Sequence, residues 1–143
     1  MKVLYIALAM SLFAGNVMAT EQTVAECKTY LGKDLKVTLD KTTDKFTVNY
    51  GDYHIVKKSN DMFWHSEHSG TQQVNDTVMY YYDGDEEGVF SVTDYGNDYM
   101  VSLKVNVDQD ILFSDQCRIK GGPVFDEQAV TANMAWVSNS DQE

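Results

Sequence analysis

The chain has 143 residues, of which 22 are acidic and 11 are basic, so its formal net charge is −11. An acidic excess of this size argues against nucleic acid and anionic lipid as partners, because both are negatively charged themselves. The length fits one domain with a modest hydrophobic core.

The first 19 residues have the pattern of a secretory signal peptide. Lys2 gives a positive start, an apolar run extends from Val3 to Ala14, and Val17 and Ala19 are the small side chains expected before a cleavage site. The apolar run is shorter than the roughly 20 residues that a membrane-spanning helix needs. We therefore predict cleavage after Ala19, a periplasmic or secreted protein, and no membrane span in the mature chain.

Two cysteines, Cys27 and Cys117, follow the predicted cleavage point. In an oxidising compartment, an even pair of cysteines in a small exported domain indicates a disulfide. The bridge would enclose nearly all of the predicted domain, which we place at residues 20–120. Residues 121–143 then form a short C-terminal helix, with Asp126 as its N-cap, or a flexible tail.

Apolar residues from Asp34 onward recur at every second position, which is the period of a strand. Val101, Leu103 and Val105 give the clearest example. Short turns such as Gly51-Asp52 separate the apolar runs. The pattern predicts seven or eight strands in an all-β antiparallel barrel or sandwich. The segment before Asp34 fits either a helical turn or an added strand.

The most distinctive stretch is Thr71–Tyr95, an aromatic strand followed by an acidic turn and a strand that runs back. Consecutive side chains of a strand point to opposite faces, so Tyr81 points away from Tyr80 and Tyr82. Tyrosine is enriched at protein interfaces, and we expect one of these faces to be core and the other to form an aromatic, acidic surface. The predicted binding residues are Tyr81, Asp83, Asp85, Glu86, Glu87, Asp94, Tyr95 and Asp98.

Acidic residues are concentrated in the second half of the predicted domain. Residues 20–58 carry seven lysines and six acidic side chains, whereas residues 59–117 carry one lysine and twelve acidic side chains. Such an excess keeps a small exported protein soluble, and it can also steer a positively charged partner toward one face. The second explanation predicts a basic protein partner.

The acidic turn also matches the register of a calcium-binding EF-hand loop. Asp83, Asp85 and Glu87 stand at positions 1, 3 and 5, with glycine at position 6 and Asp94 at position 12. These four acidic residues are therefore candidate calcium ligands. An EF-hand needs flanking helices, whereas both flanks here have strand patterns, so a solvated hairpin turn is the favoured interpretation. We expect no other cofactor.

No combination of side chains in the sequence identifies a reaction. A disulfide would remove both cysteines as nucleophiles. His65 and His68 are three positions apart, which places them on opposite faces of an extended chain, and we predict that they are surface histidines of a polar turn. The sequence therefore favours a protein that binds rather than one that catalyses.

In general architecture the predicted protein resembles the bacterial inhibitors of lysozyme, which are small exported β-barrels with a disulfide that block a cationic enzyme. The Ser-Gly-x-x-Tyr pattern sought for that group stands here as Ser69-Gly70-Thr71-Gln72-Gln73, without the tyrosine, so no family is assigned. We predict an exported, non-enzymatic protein that engages or inhibits a basic protein, for example a lysozyme-like enzyme. The alternatives are a barrel that carries a small apolar ligand and a calcium-dependent envelope or adhesion module.

Overall fold

The computed structural model describes residues 21–69, 74–121 and 125–138. The predicted signal peptide and the Gly70–Gln73 segment lie outside these ranges. Within them, the chain forms two β-sheets and one short helix, which confirms the all-β prediction. No helix in this part of the chain is long and apolar enough to cross a membrane.

The small sheet contains four antiparallel strands in chain order. They are β1 (Glu21–Lys28), β2 (Asp34–Asp40), β3 (Lys45–Tyr50) and β4 (Tyr53–Lys58). The segment before Asp34, for which the sequence left a helical turn and a strand open, is therefore a strand. Gly51 begins the β3–β4 turn with a φ of 53°, a conformation that glycine adopts without steric cost.

The large sheet has six strands in the order β10-β5-β6-β7-β8-β9. Neighbouring strands are antiparallel except for β10, which runs parallel to β5. The strands are β5 (Phe63–Ser69), β6 (Val74–Asp83), β7 (Glu86–Asp94), β8 (Asp98–Val107), β9 (Asp110–Lys120) and β10 (Ala135–Trp136). A 3₁₀ turn at Ser59–Asp61 joins the two sheets.

The hydrogen-bonded strands fall into two separate sheets, so the arrangement is a sandwich rather than a closed barrel. The predicted number of seven or eight strands is too low for the described residues. One of the additional strands is β1, and the other is β10, whose two residues are too few to show a period in the sequence.

Inward-facing side chains of the two sheets form one hydrophobic core. The alternation predicted for β8 is confirmed, since Val101, Leu103 and Val105 are all buried. Phe46 of the small sheet and Phe90 of the large sheet meet across the core, with ring centroids 6.0 Å apart. Close packing of this kind fixes how the strands and their connecting turns lie relative to one another.

The predicted disulfide between Cys27 and Cys117 is present. Cys27 belongs to β1, the edge strand of the small sheet, and Cys117 belongs to β9, an edge strand of the large sheet. The bridge therefore ties the two sheets together along the side where β1 and β9 face each other.

The C-terminal segment docks on the large sheet. The helix α1 (Glu127–Thr131) is capped by Asp126, whose Oδ1 accepts a hydrogen bond from the Ala129 N–H at 3.2 Å. The Glu127 carboxylate accepts hydrogen bonds from Asn75 Nδ2 at 2.8 Å and from Thr77 Oγ1 at 2.5 Å. Of the helix and the flexible tail that the sequence left open, the described residues form the helix, with Asp126 as its cap.

Candidate functional site

Two hairpin turns lie side by side at one end of the large sheet. The β6–β7 turn has Gly84 at its first central position with a φ of 62°, as a type II′ turn requires. The β8–β9 turn places Asp108 and Gln109 at φ values of 52° and 72°, the left-handed pair of a type I′ turn. The Asp108 N–H donates to the Asp85 carbonyl at 3.2 Å, which joins the two turns.

The two turns bring together six carboxylates, which we call the acidic edge. Its members are Asp83, Asp85, Glu86, Glu87, Asp108 and Asp110. Within the described ranges, no ion pair uses any of these six. The close contacts between basic and acidic side chains there are His65–Glu67 at 3.7 Å and Arg118–Asp98 at 3.0 Å. The acidic edge therefore presents negative charge that the protein does not neutralise.

Four of the six carboxylates of the acidic edge line a surface depression of about 520 Å³. Its lining includes Tyr82, Asp85, Glu86, Glu87, Asn106 and Asp108. Asn106 Oδ1 is buried and has no hydrogen-bond partner among the described residues. A buried acceptor without a donor is costly, so this oxygen is a place where a donor from another molecule would be stabilised.

An exposed aromatic side chain lines the same depression, and an exposed aliphatic one is the strand partner of its lining residue Asn106. Tyr82 pairs with Glu87, Glu87 with Asn106, and Asn106 with Ile111, so these four residues form one row across four strands. Side chains in register share a face of the sheet. Tyr82 is 51% exposed and Ile111 is 61% exposed. The row therefore combines charge with accessible apolar surface, as protein interfaces do.

Tyr81, which the sequence placed on the binding surface, is fully buried, so that prediction is wrong. Its neighbours Tyr80 and Tyr82 take the outer face of the sheet, and Tyr81 points into the core. Its hydroxyl lies 2.5 Å from the Tyr53 hydroxyl, which donates to Glu86 Oε2 at 3.1 Å. Since Tyr53 uses its proton on the carboxylate, Tyr81 donates to Tyr53. Tyr81 thus supports the acidic edge from inside.

Burial raises the pKa of several tyrosine hydroxyls in the core. The pKa of Tyr81 rises to about 12, chiefly through burial, with the charges of Glu86 and Asp83 adding to the shift. Burial also raises the pKa of Tyr53, and its hydrogen bond to Tyr81 adds to the effect. The pKa of Tyr50 rises to about 12 through burial and its hydrogen bond to Asp115.

We expect these tyrosines to make the fold sensitive to alkali. They lose their protons at higher pH in the folded chain than in the unfolded chain, so their contribution is fully present below a pH of about 10. It is lost as the pH rises toward about 12. Urea denaturation across this range, with tyrosinate absorbance recorded in parallel, measures the effect. Tyr81→Phe should show a smaller alkaline loss than the unmodified chain, and an unfolding free energy that stays constant up to pH 12 would contradict the expectation.

Asp94, Tyr95 and Asp98 do not join the acidic edge, so the predicted single surface is wrong in this respect. They lie at the opposite end of β7, whose nine residues span roughly 25 Å. Asp94 Oδ1 accepts from the Gly96 N–H at 2.8 Å and so stabilises the β7–β8 turn. Arg118 pairs with Asp98 and lies over the Tyr95 ring, 5.5 Å from its centroid. These three residues are engaged in contacts within the chain.

The calcium site predicted at Asp83, Asp85, Glu87 and Asp94 is also not assembled. No group of three or more His, Cys, Asp or Glu side chains within residues 21–69, 74–121 and 125–138 could hold a metal ion. The physical reason is the strand. Asp94 stands seven positions after Glu87 along the extended β7, whereas an EF-hand loop folds back on itself so that its oxygens converge.

His65 is not the surface histidine that the sequence predicted. It is 5% exposed, and its Nδ1 lies 2.7 Å from the Tyr80 hydroxyl, with the two rings stacked 5.4 Å apart. His68 is exposed, as predicted. Because β5 continues to Ser69 rather than ending in a polar turn, His65 is held between strand neighbours.

One buried carboxylate, Asp115, was not predicted. Burial alone would raise its pKa, but hydrogen bonds from Thr29, Tyr50 and the backbone hold that pKa below its usual value. The Tyr50 hydroxyl donates at 2.7 Å and the Gln116 N–H at 2.8 Å. The two-residue period of β9 would have indicated its burial, because Asp115 falls on the same face of the strand as Cys117. Its oxygens are occupied by donors of the chain, which is the arrangement of a structural carboxylate.

Comparison with known proteins identifies no relative: no protein-family model matches the chain, and no curated protein or solved structure matches it significantly. The functional proposal therefore depends on the geometry and charge of the described residues. In the acidic edge, carboxylates without ion-pair partners line a depression.

Proposed function

We propose that this is an exported protein that binds a basic protein partner through the acidic edge, and that it acts by binding rather than by catalysis. The observation that carries the proposal is the depression in which unpaired carboxylates surround the buried, unsatisfied Asn106 Oδ1. A positively charged hydrogen-bond donor would pair with the carboxylates and donate to the unsatisfied oxygen.

An arginine side chain of the partner fits this chemistry well. Its guanidinium carries five N–H donors, enough to bond a carboxylate of Asp85 or Glu87 and Asn106 Oδ1 together. The exposed Tyr82 ring offers a face for cation–π contact. Ile111 and Tyr82 would add buried apolar area around the charged contact, and aromatic anchors of this kind dominate many interfaces. A lysozyme-like enzyme is one basic protein of the proposed type.

Export is part of the proposal. The N-terminal pattern supports cleavage after Ala19 and a periplasmic or secreted location. The disulfide is consistent with an oxidising compartment outside the cytoplasm. An inhibitor of a basic enzyme would meet its target in that compartment.

The test compares two doubly substituted variants with the same loss of charge. Asp85→Asn/Asp108→Asn alters the acidic edge, and Asp76→Asn/Asp94→Asn alters the opposite end of the same sheet. Affinity is measured by calorimetry for a panel of basic proteins that includes lysozyme, with an acidic protein of similar size as the negative control. We expect the first variant to weaken binding by at least about tenfold and the second by less than about twofold.

Binding should also weaken as salt rises, because exposed charges are screened. Equal weakening by both double variants would mean that only net charge matters, and would remove the acidic edge from consideration. If no basic protein binds better than the acidic control, the proposed class of partner is wrong. Circular dichroism of both variants establishes that their fold is unchanged.

A further inference from the structure

A cavity of about 400 Å³ penetrates between the two sheets on the side where β1 and β9 face each other. Its walls are mostly apolar and come from both sheets. Val24 and Ala25 belong to β1, and Val92, Val101 and Ile119 belong to the large sheet. The volume lies within the range of sites that bind small molecules, which is about 300 to 1,000 Å³.

The cavity has identifiable structural causes. The pairing of β1 with β2 shifts its register between Thr23 and Ala25, so Val24 is an extra residue of a β-bulge. Bulges bend a strand and redirect its side chains, and they are frequent beside functional sites. Cys27 directly follows the lining residue Glu26, and Cys117 stands two positions before the lining residue Ile119, so the disulfide holds the sheets together at the edge of the cavity.

The remaining wall comes from the segment before α1. Phe125 lines the cavity, and its N–H donates to the Tyr99 hydroxyl at 2.9 Å. Tyr99 is itself a buried lining residue of β8. The helix that follows is anchored to β6 through Glu127. The wall is therefore built by specific contacts.

Polar groups at the cavity define the ligand that it would take. Gln22 lines the cavity, and its Oε1 is buried without a hydrogen-bond partner among the described residues. A ligand that donates a hydrogen bond would satisfy it. Glu26 and Asp126 also line the cavity and are exposed, so their charges disfavour fatty acids and other anions.

We propose that this cavity is a binding site for a small, neutral, mostly apolar molecule that carries one O–H or N–H donor for Gln22 Oε1. The site lies at the end of the large sheet opposite the acidic edge, since its lining residues Val92 and Tyr99 flank the β7–β8 turn. The proposal is therefore independent of the proposed protein partner. It also differs from the ligand that the sequence suggested inside a closed barrel.

The test uses a matched pair of fluorescent probes and the oxidised protein. N-phenyl-1-naphthylamine is neutral and apolar and has one N–H donor, whereas 1-benzylnaphthalene has CH2 in place of that N–H, nearly the same shape and no donor. We expect saturable binding of both probes at one site. The Gln22→Leu variant should weaken N-phenyl-1-naphthylamine by about three- to tenfold and leave 1-benzylnaphthalene unchanged or tighter.

Two tryptophan variants locate the probe. Val24→Trp fills the cavity and should weaken both probes at least about tenfold. Val56→Trp places the same side chain on β4, at an exposed position that does not line the cavity, and should leave both affinities unchanged. The Asp85→Asn/Asp108→Asn variant, which tests the acidic edge, should also bind both probes normally.

The proposal is overturned if neither probe binds saturably, or if Val24→Trp and Val56→Trp bind the probes equally well. Equal loss of both probes in Gln22→Leu would overturn the role of the hydrogen-bond donor. Thermal unfolding of each variant identifies any that fail to fold. Gln22→Leu keeps the side-chain size and removes an unsatisfied buried oxygen, so it provides a folded variant for the comparison.

Discussion

Replacement of Cys27 and Cys117 by alanine is expected to lower the free energy of unfolding by up to about 4 to 5 kcal/mol. The two cysteines are 90 positions apart, so the bridge restricts nearly the whole described chain in its unfolded state. It is also the covalent tie between the edge strands of the two sheets. A loss of this size is a large fraction of the stability of a small domain, which is typically about 5 to 15 kcal/mol.

Urea denaturation of three samples separates the contribution of the disulfide bond to the free energy of unfolding from the contribution of the packing of its sulfur atoms. The oxidised chain, the chemically reduced chain and the double alanine variant are compared at the same pH. Cys117 is 1% exposed, so alanine at this position adds a small packing loss that the reduced chain does not have. If the reduced chain is as stable as the oxidised chain, the core alone holds the sheets together.

Sequence periodicity predicted the strands best where only one face is apolar. In β8, Val101, Leu103 and Val105 alternate with polar residues, and all three are buried. In β6 both faces are apolar, so the period shows that Tyr81 opposes Tyr82 but does not show which of the two points inward. The neighbouring strand decides this, because Gly88 faces Tyr81 and leaves room for its ring.

Only the part of the candidate site that is contiguous in sequence could be predicted. The carboxylates of the β6–β7 turn are adjacent in sequence, so their proximity required no knowledge of strand lengths. Asp108 and Asn106 join them only through the pairing of β7 with β8, and Asp94 is removed from them by the length of β7. The apolar cavity depends on a one-residue bulge at Val24, which no periodic pattern identifies.

Gly88→Ala is expected to lower the free energy of unfolding by about 3 kcal/mol. Gly88 lies directly opposite Tyr81 in the β6–β7 hairpin, and a Cβ at this position would overlap Cζ, Cε1 and the hydroxyl oxygen of the Tyr81 ring. The ring is fully buried, so it cannot move aside without breaking its hydrogen bond to Tyr53. Tyr53 in turn donates to Glu86 of the acidic edge. The substitution should therefore also disturb the acidic edge.

A second glycine provides the control. Gly96 has a φ of 97° and open space around it, so Gly96→Ala measures backbone strain without a steric clash, at a cost of about 1 to 2 kcal/mol. Combining Gly88→Ala with Tyr81→Ala should cost less than the sum of the two single losses, because the smaller residue removes the clash. Additive losses in urea denaturation would show that Gly88 and Tyr81 do not interact. In that case Gly88→Ala would not act through the Tyr81 ring. Any effect of this substitution on the acidic edge would then need another cause.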